Sequence, residues 1–555
     1  MTLALAARRQ IGYALGRAAG GLSWLLRDDF TTDLPAGSVN GTAAEPGPGT
    51  RTVYDTNNKI SLSGGKLSFA TGGLVGDGLI YSAMTRTAGR MLLVSGQHSG
   101  GTGIAFGWGA LALPNAITER IGINQPGINT TTAAYVGLVV SPTLSASTAY
   151  YVAYIQGATN SMFILLTGGD YAAWTLLWKH TSAATGTTPV AQMRATNVVG
   201  TADFIRVPDA LWLPTPLASD GFGSTFGTTD GLGHAEGIAG GIGAGGSGVA
   251  WSNVGSTWSV SGGKAINTPV PSSELLINGS MELDSNWASY GTPVTNERST
   301  GQVHGGTYSR KLVADSNFDA IGQSVALSVG TWYRVQAWTY LESGTGIVIQ
   351  DYNFGVWLAG NITSGSWVLL SLTFRATVGS SLFTLRSFQS SPITAYIDDA
   401  SFGPLALSSL VSLLETACSN VFCSVALTRT STLMQAGLAV NFDSTSSPTN
   451  GVLVYIYVTN IYIAKIVAGT WTQVSSTAYT YSAGARLVVA KNGTEYRVYY
   501  NDAFVVAVTI SDAGIVNNTL HGMFSTDASN TLDDFTCYAT GTGGEYATLD
   551  QYIQP

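Results

Sequence analysis

Charge is scarce in this sequence. Of 555 residues only 25 are Lys or Arg and 33 are Asp or Glu, 10% in all, where a soluble domain usually carries about 25%. The net charge of −8 leaves no basic stripe to neutralise phosphates, which excludes a nucleic-acid partner. Cysteine is nearly absent. Cys418, Cys423 and Cys537 are an odd set that gives no disulfide framework. Cys418 and Cys423 have no second pair or nearby His to make a zinc site, so all three read as small buried hydrophobes. No apolar run reaches the 18 residues of a spanning helix. Gly-x-Ser-x-Gly, His-Glu-x-x-His and Walker motifs are missing, and the five histidines, at 98, 180, 234, 304 and 521, are dispersed.

What is abundant is glycine, with 68 residues, alongside an ordinary hydrophobic share of 45%. The chain can therefore build real cores, and its length predicts three or four domains. Low charge with many Gly, Thr, Ser, Tyr and Trp suits short strands joined by tight turns. A surface of Ser, Thr and Asn also suits extracellular and virion proteins. Period-two runs recur, as at Tyr150 to Ile155, Gly451 to Thr459 and Arg497 to Tyr500. Asn492-Gly493 between two such runs predicts a hairpin. The expectation is an all-β chain of tandem sandwiches with a short N-terminal helix.

That helix is expected within residues 1–26, where Ala, Leu and Arg dominate up to Gly20-Gly21 and the next few residues. Arg8 and Arg9 follow the apolar start, the wrong order for a secretory signal. The segment reads either as a helix packed on its own domain or as an anchor over residues 1–27 that docks on a partner assembly.

A weak repeat follows. Arg27-Asp28-Asp29-Phe30 leads to Ser63-Gly64-Gly65-Lys66, and Ser219-Asp220-Gly221-Phe222 leads to Ser261-Gly262-Gly263-Lys264. The copies end alike, at Asp203-Phe204 and Asp533-Asp534-Phe535. The predicted domains are a sandwich over 28–213, a second built from 219–270 and 405–545, an insertion over 275–403, and a tail over 546–555. An insertion is tolerated at a loop tip of a sandwich whose ends lie close together.

The insertion carries five segments in order. They are Asn278-Gly279-Ser280-Met281-Glu282 with Trp287; His304 to Leu312; Leu327 to Trp338; Trp367 to Phe374; and Tyr396 to Phe402, which contains Asp398-Asp399. Together they resemble the family 4/9 group of carbohydrate-binding modules. The resemblance implies a β-jelly roll and one structural Ca²⁺, held by Glu282, by the backbone of Gly305 or Thr307, and by Asp399, oxygen ligands that suit this ion. It also implies sugar stacking on aromatic faces. The candidates are Trp338, Tyr340, Tyr352, Phe354 and Trp357, with Gln350, Asp351 and Asn353 as hydrogen-bonding neighbours.

The flanking copies resemble concanavalin-like or laminin-G-like sandwiches. Phe226 to Glu236, followed by Trp251 and Trp258, is similar to modules of bacteriophage tail and other virion structural proteins. The resemblance implies a non-enzymatic virion component. Other virion proteins would be met through the N-terminal helix and first sandwich, as a homo-oligomer whose jelly roll reaches a host-surface glycan. The alternatives are a secreted polysaccharide-binding protein or adhesin, and a polysaccharide depolymerase. A depolymerase needs two positioned carboxylates. Adjacent pairs such as Asp28-Asp29, Asp398-Asp399 and Asp533-Asp534 face opposite sides of a strand.

Overall fold

The computed structural model describes residues 23–539 except 75, 99–103, 110–116, 123–126, 131–135, 138–147, 157–160, 169–174, 182–185, 194–198, 210, 212–216, 221, 223–250, 254, 317–318, 352–356, 388–391 and 502. The described residues form antiparallel sheets, with helix confined to the single turns Leu407–Leu410 and Ala513–Val516. The six sheets pair into three two-sheet bodies. The expected N-terminal helix falls largely outside the described residues, and its last residues are not helical. Trp24–Asp28 is a strand paired antiparallel to Gly200–Pro208. Leu26 and Asp28 both turn inward, the two-residue spacing of a strand, so residues 24–27, predicted as the end of the anchor, belong to the first sandwich.

The first sandwich packs an eight-stranded sheet against a seven-stranded one. Its core holds Phe30, Leu67, Trp108, Tyr154 and Val207. A buried ion pair ties its opening strand down. Asp28 accepts from Arg51 Nε and Nη2 at 2.6 Å each, and from the Tyr81 hydroxyl at 2.8 Å. Both charged side chains are fully buried. Burial, followed by the neighbouring Asp28 carboxylate, pushes the Tyr81 pKa well up, so the phenol stays a donor.

The repeat seen in the sequence is a repeat of devices. In both copies the buried Asp accepts the backbone N–H of the Phe two residues on, Phe30 or Phe222. Both Phe residues sit at positive φ, 51° and 49°. In both, the Gly-Gly pair turns a hairpin, Ile60–Leu62 to Leu67–Phe69 and Trp258–Ser261 to Lys264–Asn267. All four glycines take positive φ, as a two-residue hairpin loop of this kind requires. The following lysine meets the Asp of the closing strand, Lys66 with Asp203 at 2.9 Å and Lys264 with Asp533 at 3.9 Å. The copies differ at the buried carboxylate. Asp220 accepts from the Trp251 indole N–H at 2.8 Å, a neutral donor where Asp28 has a guanidinium.

The second sandwich pairs an eight-stranded sheet with a six-stranded one. Its outer apolar residues Phe422, Val488, Ala490, Tyr499 and Tyr538 join the buried cluster of the first sandwich. Between its strands Lys264–Asn267 and Val411–Glu415 the chain makes the insertion, two five-stranded sheets around Met281, Trp287, Val335, Leu341, Phe383 and Phe402. The insertion does not hang on a flexible stalk. Trp332 packs edge-on against Trp471 and tilts against Phe524. Arg334 donates to the Pro269 carbonyl at 2.6 Å and lies 3.6 Å from Asp527. Ser371 donates to the Asp527 carboxylate, and Thr373 to the Thr526 carbonyl. One end of a sheet is thus fastened to the sandwich, which leaves its other end as the outward part of the molecule.

Candidate functional site

The site is built on the jelly-roll sheet that contains Trp332–Ser343, Trp367–Arg375 and Ile393–Leu405. Along the first of these strands Ala337 and Leu341 face the core, so Trp338 and Tyr340 face out. Tyr340 stands opposite Trp367 on one side and Tyr396 on the other. Its ring centroid is 5.7 Å from that of Trp367 and 6.2 Å from that of Tyr396. His304 stacks on Trp338 at 4.0 Å and 17°, and meets Trp367 edge-on at 5.5 Å. Trp338, Tyr340 and Trp367 are half-buried, Tyr396 is buried and Leu369 is exposed. Lys311 lies over the Tyr396 ring at 5.8 Å, and the Tyr396 hydroxyl reaches Glu342 at 3.5 Å. The result is an apolar aromatic face with an ammonium and a carboxylate at its margin.

A glycine-rich loop borders this face and is clasped by acids. Asp398, buried on the closing strand, accepts the N–H groups of His304 and Gly305 at 2.9 and 3.1 Å. Burial raises the Asp398 pKa even so. Asp399, at φ 43°, takes a 2.7 Å bond with His304 Nδ1, which fixes the imidazole that covers Trp338. Glu282 accepts the N–H groups of Tyr308 and Thr307 at 3.0 and 2.7 Å, and those bonds hold its pKa below the ordinary carboxylate value. A Cβ on Gly305 would lie 2.6 Å from Asp399 Oδ2, and one on Gly306 would lie 2.1 Å from Glu282 Oε1. Either carboxylate would have to shift to admit a side chain there, and Gly306, at φ 68°, is in addition in a backbone conformation that favours glycine. The opening motif is held in the same way. Gly279 faces the Ala400 carbonyl with no room for a Cβ, and its own carbonyl accepts the Ala400 N–H.

The four residues expected to hold calcium, Glu282, Gly305, Thr307 and Asp399, therefore surround one loop. The donor set is of the right chemistry. Glu282 Oε2 and Asp399 Oδ1 carry none of the hydrogen bonds that engage their partner oxygens. No group of three or more His, Cys, Asp or Glu able to hold an ion occurs among the described residues. An ion here would need backbone carbonyls as well.

The described residues among those expected to bind sugar lie on two different sheets. Trp338 and Tyr340 lie on the aromatic face. Gln350 lies in Ile347–Asp351, a strand of the opposite sheet paired with Trp357–Asn361 and Ser380–Ser387. Ile347 and Ile349 face the core there, so Gln350 faces away from it, on the far side of the sandwich. It is buried. Asp351 and Trp357 belong to the same sheet by their backbone. Tyr352, Asn353 and Phe354 lie outside the described residues. The candidates are thus distributed over both sheets, Trp338 and Tyr340 on one and the backbone of Gln350, Asp351 and Trp357 on the other. His304, Trp367, Tyr396 and Lys311 complete the face that Trp338 and Tyr340 begin. The signal for them was present, since all four lie within the segments His304 to Leu312, Trp367 to Phe374 and Tyr396 to Phe402, but the strand registers and the loop path that bring them together were not readable.

Among the adjacent acidic pairs, Asp28 is buried on Arg51 while Asp29 meets Arg27 and Arg206, so those two diverge as expected, whereas Asp398 and Asp399 both engage His304, because the positive φ of Asp399 breaks the alternation of the strand. The motif Phe226 to Glu236 lies outside the described residues. No helix among the described residues is long and apolar enough to cross a membrane.

No family model matches the chain, and no curated protein matches it. Solved structures do. Carbohydrate-binding module CBM66 from Bacillus subtilis is 14% identical, covering 23% of this chain and 83% of its own, with a TM-score of 0.21. The CBM22-1 xylan-binding domain of Paenibacillus barcinonensis Xyn10C is 17% identical over 24% of this chain and 97% of its own, with a TM-score of 0.21. The exoplasmic domain of VIP36 in its Ca²⁺-bound form is 10% identical over 33% of this chain and 91% of its own, with a TM-score of 0.25.

Proposed function

We propose that the inserted jelly roll binds a glycan across the face of Trp338, Tyr340 and Trp367, and that the two sandwiches are a non-enzymatic scaffold that presents it. The observation that carries this reading is the half-exposed aromatic face at the end of the sheet opposite the fastened one. Aromatic rings match the apolar face of a pyranose, and polar groups at the margin can take its hydroxyls. The setting we favour is a virion surface, where many copies would turn weak sugar contacts into avidity for a host cell. The same face would serve an exported polysaccharide-binding protein.

A glycan array with the full chain tests the site. Trp338→Ala and Trp367→Ala are each expected to weaken binding to any glycan that scores by roughly tenfold, an order-of-magnitude estimate for one lost ring contact. Binding unchanged in both variants, or no glycan bound by the unaltered chain, overturns the assignment. Shortening of a bound polysaccharide during incubation would make the chain a depolymerase instead.

One structural Ca²⁺ at Glu282 and Asp399 belongs to the same proposal. Saturating Ca²⁺ is expected to raise the unfolding temperature over that in chelator, since a ligand at 100 times its Kd adds about 2.7 kcal/mol. Glu282→Gln is expected to remove the increment. An identical melting curve with and without Ca²⁺ would refute the ion.

A further inference from the structure

Cys423 and Cys537 were expected to be inert core thiols, and their placement says more. Cys423 lies on Val421–Thr428 and Cys537 on Thr531–Ala539, adjacent strands of the second sandwich, and the two residues are direct cross-strand partners. Their Sγ atoms are 3.0 Å apart. Neither residue is exposed to solvent. Directly opposed residues of an antiparallel pair have Cα atoms about 4.5 or 5.5 Å apart, and both spacings fall inside the window that a disulfide spans. Both side chains already point to the same side of the sheet, into the core that holds Leu427, Leu487 and Phe535. Closing the bond therefore needs only a sub-ångström approach of two sulfurs. Cys418, the third cysteine, is partly exposed and turns its thiol to the Asn420 carbonyl at 3.1 Å.

We infer that Cys423 and Cys537 form a cross-strand disulfide whenever the chain folds in an oxidising compartment, and that the folded sandwich then seals the bond. The oxidant is a small-molecule or protein disulfide. One cysteine thiolate attacks it and releases a thiol. The second cysteine thiolate attacks the mixed disulfide and releases another. Two protein thiols thus lose two electrons and two protons, and one disulfide is reduced to two thiols. Exchange needs an accessible thiolate. In the folded sandwich burial pushes the Cys537 pKa well up and no solvent reaches either sulfur, so the exchange belongs to folding, before the sheets close. The redox state of the pair then records where the chain folded. The bond would close a loop of more than a hundred residues that contains most of the second sandwich, where cross-linking restricts the unfolded chain most.

The test is a thiol count on the full chain made in parallel in a reducing and an oxidising cytoplasm. The protein is denatured in N-ethylmaleimide, its intact mass is measured, and its peptides are mapped. Three adducts are expected from the reducing host. One adduct, on Cys418, and a linked peptide pair containing Cys423 and Cys537 are expected from the oxidising host. The oxidised native protein is expected to keep the link in dithiothreitol until denaturant is added. Cys418→Ala should leave the link intact, and Cys423→Ala should give two adducts in either host. Three adducts from the oxidising host, or a link that uses Cys418, overturns the inference. Rapid loss of the link in native protein overturns the sealing.

Discussion

Arg51→Ala is expected to destabilise the first sandwich by about 3–5 kcal/mol, the range for removing one partner of a buried ion pair. The guanidinium gives Asp28 two bonds of 2.6 Å, and neither group touches solvent. Without Arg51 the carboxylate keeps the Tyr81 hydroxyl and the Phe30 and Glu45 N–H groups, at 2.8, 3.3 and 3.3 Å, which are neutral donors. Its charge would stand uncompensated beside Leu26 and Phe30. The double variant Asp28→Asn with Arg51→Met removes both charges and is expected to cost clearly less than Arg51→Ala alone. Thermal unfolding of the three proteins checks the order. If the double variant is the least stable, the pair stabilises the fold outright rather than through the cost of leaving one charge alone. The second sandwich offers an internal comparison. Trp251→Phe removes one neutral donor from Asp220 and keeps the edge-to-face contact with Phe535, so a loss of only about 1–3 kcal/mol is expected.

Why some of this was legible and some not follows from how each signal is written in the chain. The Asp-x-Phe openings and the Gly-Gly-Lys hairpins are local. A positive-φ turn must be made by a few adjacent residues, so its sequence survives in both copies and marks the repeat. The all-β class is equally local, because alternation is a property of single strands. The buried partner of Asp28 was not legible. Arg51 lies 23 residues on in the first copy, and the second copy uses Trp251 for the same task. A carboxylate can be satisfied by any donor that reaches it, so the need is conserved between copies while the residue is not. The loop that carries Gly305 and Thr307 was readable as a neighbour of Glu282 and Asp399 because its glycine-rich motif is local, as Gly306 at φ 68° shows. The aromatic face was only half legible. Trp338 and Tyr340 alternate along one strand, but Trp367 and His304 join them through strand register and loop path, which no local pattern encodes. That the strand Ile347–Asp351 enters the opposite sheet was not readable for the same reason, since sequence distance carries no information about which sheet a strand joins.

Acid is expected to unfold the second sandwich through His521. This residue is fully buried on Leu520–Ser525. Its Nδ1 accepts the Asn441 N–H at 3.1 Å, so the proton sits on Nε2, which donates to the Cys418 carbonyl at 2.9 Å. Both ring nitrogens are satisfied only in the neutral tautomer, because a proton on Nδ1 would face an N–H. Burial brings its pKa down to about 4 from 6.5, and the nearby Lys491 charge acts in the same direction. Below pH 6.5 the unfolded chain takes up a proton that the folded one refuses until about pH 4. The histidine's contribution is therefore complete above 6.5 and is lost across that window by about 3 kcal/mol, the free energy of a shift between two and three units. Lys491 adds a slope of the same sign at higher pH. Burial lowers its pKa to about 8 from 10.5, so stability rises again from about pH 8 as the ammonium, which costs the folded state its hydration, loses its proton. Denaturant midpoints measured from pH 4.5 to 9.5 are thus expected to climb in two steps. His521→Gln keeps an acceptor for Asn441 and a donor for Cys418 but does not titrate, so it should flatten the acid step alone. If the acid step persists unchanged in that variant, the proton goes elsewhere. If the unaltered protein is flat between pH 4.5 and 6.5, the histidine is protonated in the folded state and the Asn441 bond does not form.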